Sequence, residues 1–377
     1  MKIAFVSDVV YPWVKGGMES IEYEEAKELA KSNEVHMFCM RFNGMEKEFV
    51  KGGIHYHAFP DANEDSFYTN GRRSTKEAAR FSLGLKNMFG YKFDVVQANL
   101  FPVMHIPIVK LYCRLNKAKL ILDVAEVWNR EYWNGYTGRL KGSLAYRYNL
   151  KALQNADFYI ANSTATENEL LKLGISKHRI EVLSPFLDKK LISSMHTVKK
   201  SKQIITSGRL IKEKRLDKFI EIMSKVIERV PDARASIIGR GPEKEALEMT
   251  IHKYGLDKRI KIREPFKSKR ALYKAIKSSS AMLQMSEREG LSEITIESIA
   301  LGTPVLLPSY TPIPKEVKEM CTVADEKELP KILEDTIKGD RGGARIKNRK
   351  NLERYYTSNI EKYYIRILER IRAGGRP

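Results

Sequence analysis

Cysteine is scarce in this 377-residue chain: Cys39, Cys113 and Cys321 are odd in number and far apart. That spacing supports neither a disulfide framework nor a clustered thiolate metal site, and it points to a reducing, cytoplasmic setting. Long apolar runs are missing as well. No stretch approaches the ~20 apolar residues that a membrane span requires. Asp8 interrupts the first apolar run too early for a signal peptide, so residues 3–7 read as a buried strand. The seven histidines contain no H-x-x-x-H, and His55 with His57 reads as a surface pair rather than a metal site. There is no G-x-G-x-x-G fingerprint, no G-x-x-x-x-G-K-[ST] phosphate loop, no C-x-x-C finger and no aromatic RNA-binding motif. Nicotinamide-type dinucleotide binding and sequence-specific nucleic-acid binding are thereby set aside. Acidic residues are in deficit, 47 against 67 Lys and Arg, for a formal net charge of +20. A surface of that sign attracts phosphorylated substrates or anionic lipid.

What is present is ordinary globular protein, 42% apolar and 30% charged, long enough for two domains. Residues 3–7, a loop with Gly16 and Gly17, an amphipathic stretch 20–31 and an apolar run 35–39 give strand, loop, helix and strand. Short apolar runs at 94–98, 119–124 and 158–161 continue the rhythm. Residues 188–202, rich in lysine and serine, break it, and the pattern restarts at 203. The fold class is therefore α/β, with two doubly wound domains of mostly parallel sheet. The expected organisation is an N-terminal domain over 1–188, a linker over 189–202, a C-terminal domain over 203–358 and a final helix over 359–377. That helix is expected to return to the first domain.

Three stretches could carry chemistry. In SEREGLSEITIESIALGTPVLL (286–307), a strand delivers a loop holding Glu289, Gly290, Leu291 and Ser292 to the start of a helix. Ser292 is placed to cap that helix, whose free amides favour an anion. Glu297 lies farther along it. Two carboxylates so placed can grip hydroxyls at separate points on a ligand. In SGRLIKEKRL (207–216), Arg209 and Lys214 follow a strand end. A guanidinium fork and a point charge there suit a diphosphate leaving group; Lys212 and Arg215 compete for the role. Gly16 and Gly17 permit positive φ or close backbone approach to a ligand, and Gly239 and Gly241 form a lone G-x-G after a strand. A further stretch, 129–147, interleaves Arg130, Arg139, Lys141 and Arg147 with Tyr132, Trp133, Tyr136, Leu140, Leu144 and Tyr146. That mixture suits peripheral contact with an anionic membrane.

In this order the elements resemble the retaining glycosyltransferase family 4, of the GT-B fold, over nearly the whole chain. Glu289 and Glu297 match the family's E-x7-E element, and Gly208, Arg209, Leu210 and Lys214 match its G-R-L…K element. Gly16 and Gly17 match its N-terminal glycine pair, and IIGRGPEKEAL its G-x-G-P segment. The resemblance implies two facing Rossmann-like domains with a cleft between them. It implies metal-independent transfer of a sugar from a UDP-, GDP- or ADP-linked donor to a sugar or lipid-linked acceptor hydroxyl, with no further cofactor. Glu297 would hold the ribose, Glu289 the donor sugar, Arg209 and Lys214 the diphosphate, and Gly17 would admit donor phosphate and acceptor. The sequence departs from the family at Ala125, where a histidine is usual, with Glu126 as a substitute polar contact. Gln97, Asn99 and Ser292 also replace common residues, and PFLD (185–188) replaces the usual turn. The second reading is a catalytically impaired nucleotide-sugar-binding or partner protein of the same fold.

Overall fold

A computed structural model describes every residue except 15, 70–71, 155, 184–186, 197–198, 357–359 and 373–377. Pro185 and Phe186 of the PFLD turn, residues 197–198 of the expected linker and both ends of the expected final helix lie outside the described residues. The chain divides into two units, Met1–Pro185 with Ser358–Pro377, and Phe186–Thr357.

Strands of the first unit are β1 (Lys2–Val6), β2 (Glu34–Arg41), β3 (Glu48–Lys51), β4 (Ile54–Asp61), β7 (Val95–Asn99), β8 (Lys119–Val124), β9 (Phe158–Ala161) and β10 (Ile180–Val182), with a small ribbon of β5 (Tyr68–Thr69) and β6 (Arg72–Arg73). The main sheet runs β10-β9-β8-β7-β1-β2-β4-β3. All neighbours are parallel except β3 and β4. Central strands such as KIAFV in β1 are apolar without alternation, because helices cover both faces of a parallel sheet. The direction of winding reverses between β1 and β7, and the carboxyl ends there form a switch point of the kind that receives ligands.

The second unit has β11 (Ser201–Ser207), β12 (Arg234–Ile238), β13 (Ile260–Arg263), β14 (Ser279–Leu283), β15 (Val305–Pro308) and β16 (Thr322–Ala324), in the parallel order β13-β12-β11-β14-β15-β16. The helix Leu216–Arg229 shows why its face packs. Leu216, Phe219, Ile220, Met223 and Val226 fall at helical spacing and are buried, joining β11 and β12 in one apolar cluster. The switch point of this sheet lies between β11 and β14.

The stretch read as a connection over 189–202 is structured where it is described. Lys189–Ser193 is a helix whose first turn is capped by Asp188, which accepts from the Leu191 amide at 2.8 Å. Leu187 and Met195 anchor it in the core of the second unit. Leu191 and Ile192 pack against the same core, so a few apolar residues fix a segment rich in Lys and Ser. The helix Ile360–Arg372 belongs to the first unit. Its Tyr364 is fully buried and donates its hydroxyl to Gln97 Oε1 on β7, and Arg370 Nη1 reaches Glu181 Oε2 at 2.9 Å. The His55–His57 pair is only half a surface feature. His57 stacks on His36, with His36 Nδ1 at 2.8 Å from His57 Nε2, and burial lowers the basicity of both rings. Among the described residues no group of three or more His, Cys, Asp or Glu is arranged to hold a metal ion.

Candidate functional site

A small pocket opens at the switch point of the second unit. It is lined by Thr206, Ser207, Gly208, Arg209 and Lys214 after β11, and by Gln284, Met285 and Ser286 after β14. Arg209 is exposed, and no described residue pairs with its guanidinium. Lys214, in the short turn Lys212–Lys214, forms an ion pair with Glu289. Neither is more than one-fifth exposed, at 19% and 14%. The backbone fixes this pairing: the Glu287 amide donates to the Glu213 carbonyl at 3.0 Å and clips the two loops together. Of the competing cations, Arg215 is taken by Glu287 and Lys212 points to solvent. The structure thus brings Arg209, Lys214 and Glu289 to one place.

Gly239 and Gly241 serve the pocket from behind. The Gly208 amide donates to the Ile238 carbonyl at 3.0 Å and the Leu210 amide to the Arg240 carbonyl at 2.8 Å. A Cβ on Gly239 would sit 1.9 Å from the Gly208 carbonyl oxygen, and one on Gly241 2.3 Å from that of Leu210. These glycines let two backbones touch, and of the two loops it is Gly208 and Arg209 that line the pocket. Gly239→Ala must displace the 208–210 backbone. It is expected to lower stability by roughly 1–3 kcal/mol, as overpacking does, read by thermal unfolding.

The helix Glu293–Ala300 presents the second carboxylate. Ser292 does not cap it with its side chain as the sequence suggested. Its hydroxyl pairs instead with that of Thr295 at 2.8 Å, because its backbone is left-handed, φ +65°. Few side chains adopt that conformation, which explains why glycine suits the position. Ser292→Gly is expected to keep or raise stability by up to about 1 kcal/mol, and Ser292→Val to lower it by about 1–2 kcal/mol; paired melting curves check both. Leu291 points into the core, so only its backbone and that of Gly290 are offered to a ligand. Glu297 is buried, and its Oε1 accepts from Tyr273 Oη and pairs with Lys269 Nζ, each at 2.8 Å. Burial and then the Glu297 carboxylate hold the Tyr273 phenol protonated far beyond its usual range. Burial opposes the charge on Lys269, and Glu297 more than restores it. Tyr273, Lys269, Gln284 and Ser286 were not legible as site residues. Gln284 and Ser286 had one faint signal, polar residues at the end of an otherwise apolar strand.

In the first unit, Gly16 precedes the helix Gly17–Leu29 in extended conformation, φ −139°. Neither Gly16 nor Gly17 takes the positive φ that the sequence reading allowed. Gly16 accepts from Ser20 through both its amide, at 3.2 Å, and its hydroxyl, at 2.9 Å. Glu126 follows β8 and accepts from the Trp128 indole at 3.0 Å, while the Ala125 carbonyl accepts from Thr166 Oγ1 at 3.0 Å.

Beneath that helix lies a group the sequence reading missed altogether. Asp8, Glu22, Glu25 and Asp123 are buried at 3% exposure or less. Asp8 pairs with Arg73 at 3.3 Å, and Gln97 Nε2 donates to Glu25 Oε2 at 2.9 Å. Burial pushes Asp8 up to about 6 despite Arg73 and Asp123 up to about 7 despite a hydrogen bond from Gln97. Glu22 and Glu25 are driven well above the usual carboxyl range by burial and by Asp123. The helical pattern of Ile21, Ala26 and Leu29 was readable, but Glu22 and Glu25 share that inward face.

Two mostly parallel, doubly wound α/β sheets, the second with a cationic pocket at its switch point, are the architecture of the GT-B fold. The group 1 glycosyl transferases match residues 188–337 and Glycosyltransferase Family 4 matches residues 15–191; the chain belongs to these glycosyltransferases. An uncharacterized glycosyltransferase of Methanocaldococcus jannaschii is 25% identical over 247 residues, 62% of this chain and 60% of that protein's length. Sucrose-phosphate synthase from Thermosynechococcus elongatus superposes with a TM-score of 0.72 at 13% identity, over 99% of both chains. HepE of Anabaena, solved with UDP and glucose, gives 0.72 at 15% identity, over 98% of this chain and 99% of that one. Identities this low speak to the fold alone. Among the described residues no helix is long and apolar enough to cross a membrane.

Proposed function

We propose that the protein transfers a glycosyl unit from a nucleotide-activated sugar to an acceptor hydroxyl, without a metal ion and with retention at the anomeric carbon. The observation that carries this reading is the pairing of Lys214 with Glu289 beside the open guanidinium of Arg209, at the carboxyl ends of β11 and β14. A donor diphosphate entering there would take Lys214 and Arg209 as counter-charges. Glu289, released from Lys214, would then accept from hydroxyls of the sugar. Glu297 keeps Oε1 on Tyr273 and Lys269, leaving Oε2 for the ribose. As the acceptor oxygen bonds to the anomeric carbon, the bond to the diphosphate breaks and the electron pair leaves with the phosphate. The two cations stabilise that charge where it develops, and the acceptor's proton passes to a phosphate oxygen. On the first unit, Gly16, Gly17 and Glu126 are the residues assigned to the acceptor and the reacting sugar. HepE's complex with UDP supports a uridine donor among the nucleotide classes.

Calorimetric titration of UDP tests the division of roles. Glu297→Gln is expected to weaken UDP by roughly tenfold to 150-fold, the worth of a charged hydrogen bond. Glu289→Gln is expected to leave UDP affinity nearly unchanged while turnover of UDP-sugars falls. Equal UDP binding by wild type and Glu297→Gln would remove the ribose assignment. The anomeric configuration of the product, read by NMR, tests retention. Ala125, in place of the family's histidine, favours one second reading, a binding protein that has lost turnover. Donor binding with no transfer or hydrolysis across a broad acceptor panel would select it.

A further inference from the structure

We propose that the first unit docks on an anionic lipid surface through two adjoining helices, Ile106–Asn116 and Arg139–Leu153. The aromatic residues that the sequence offered for such a contact are not the ones displayed. Trp128 packs against Tyr132, Trp133 and Tyr136, with ring centroids 4.6, 4.8 and 5.1 Å away, and Trp133 is buried. Leucines are displayed instead. Leu140 is 87% exposed and Leu144 67%, and with Arg147, Tyr148 and Lys151 they form one exposed stripe along the second helix. The first helix repeats the arrangement, with Leu111 at 51%, Leu115 at 65% and Arg114 between them. Lys110 ties the two helices together by donating to the carbonyls of Lys151, at 3.1 Å, and Gln154.

The charge on these helices selects the occupant. They carry Lys110, Arg114, Arg139, Lys141, Arg147 and Lys151 and not one Asp or Glu. The helix Gly17–Leu29, by contrast, contains Glu19, Glu22, Glu24, Glu25 and Glu28. A second copy of this chain would meet the face with the same positive sign. Nucleic acid would use the cations but not the leucines. An anionic bilayer uses both, taking leucines into the boundary between headgroup and acyl chain while lysine and arginine meet phosphate. The contact lies on the bilayer, since neither helix is long and apolar enough to cross it.

Co-sedimentation with vesicles of phosphatidylcholine, alone or with about one third phosphatidylglycerol, tests this. The bound fraction is expected to be at least about tenfold greater on the anionic vesicles, and to fall by at least about tenfold in Leu140→Glu/Leu144→Glu. Lys141→Glu/Arg147→Glu is expected to lose binding similarly. Equal partition onto both vesicles would overturn the proposal. So would anionic binding that survives the leucine changes, since that would be general attraction to a protein of charge +20. A dimer in sedimentation velocity that the leucine changes dissolve would also overturn it, by assigning the face to a second copy. Both leucines are exposed, so melting curves should match wild type; if they do not, Leu140→Ser alone carries the same comparison. UDP affinity, measured on the same samples, should be unchanged in every variant. Loss of vesicle binding therefore leaves the sugar-transfer reading standing, and failure of UDP to bind leaves the docking result standing.

Discussion

Replacing Arg209 with alanine is expected to lower turnover of a nucleotide sugar by about 10²–10³-fold, the usual loss when one preorganised donor to a developing oxyanion is removed. The reason is local. Arg209 is the exposed cation of the pocket with no protein partner among the described residues, whereas Lys214 and Arg215 already hold Glu289 and Glu287. UDP itself should bind roughly tenfold to 150-fold more weakly, because the ground-state diphosphate loses a charged hydrogen bond too. Arg209→Lys should recover part of the affinity and less of the turnover, since an ammonium supplies charge without the planar fork. Calorimetry and steady-state kinetics on the three proteins decide it. If Arg209→Ala binds UDP and turns over as wild type does, the diphosphate is held elsewhere.

The buried carboxyl group of the first unit predicts an unusual pH dependence of stability. Each member holds its proton more tightly folded than unfolded. Below the unfolded values near 4 their burial therefore carries no ionisation penalty. Stability is lost as pH rises through about 6 for Asp8 and about 7 for Asp123. Asp123→Asn is expected to raise stability at pH 8 by roughly 2–4 kcal/mol, taking about 1.4 kcal/mol per unit of displaced pKa, and to change little at pH 4. His36 and His57 act in the opposite sense. Their basicity is lowered in the fold, so their contribution is kept at neutral pH and lost as pH falls below about 6.5. Denaturant unfolding from pH 4 to 9 measures both slopes. Parallel curves for wild type and Asp123→Asn would show that the carboxylates are not desolvated as the structure has them.

The sheets were readable from sequence because parallel strands buried on both faces are short, apolar and unbroken, as in KIAFV and KLILDV. The pocket was partly readable because Arg209, Lys214 and Glu289 sit just after such strands, where a backbone turn displays them. The packing of Gly239 and Gly241 on the 208–210 backbone was not readable: a sequence shows that a glycine is present, not which backbone it must admit. The left-handed turn at Ser292 was hidden because serine commonly caps a helix from an extended conformation. Glu22 and Glu25 were invisible for a deeper reason. Charged residues on a helix are assumed to face water, and here Glu22, Glu25 and Asp123 come together with Gln97 and Tyr364 from β7, β8 and two helices far apart in the chain.

Tyr364 also orders events in time. The first unit is made from the opening half of the chain and its last helix, with the whole second unit encoded in between. As the polypeptide leaves the ribosome, β1 to β10 can assemble and the second unit can close. Throughout that interval Gln97 has no Tyr364 hydroxyl to accept, and the apolar ground later covered by Ile367 and Ile371 stays open. Domains that fold during synthesis do so mainly from the N-terminus onward; here the earliest-made half waits longest for its final piece. A nascent chain halted before residue 360 would be expected to engage a chaperone at that gap, and completion of the Ile360–Arg372 helix to release it.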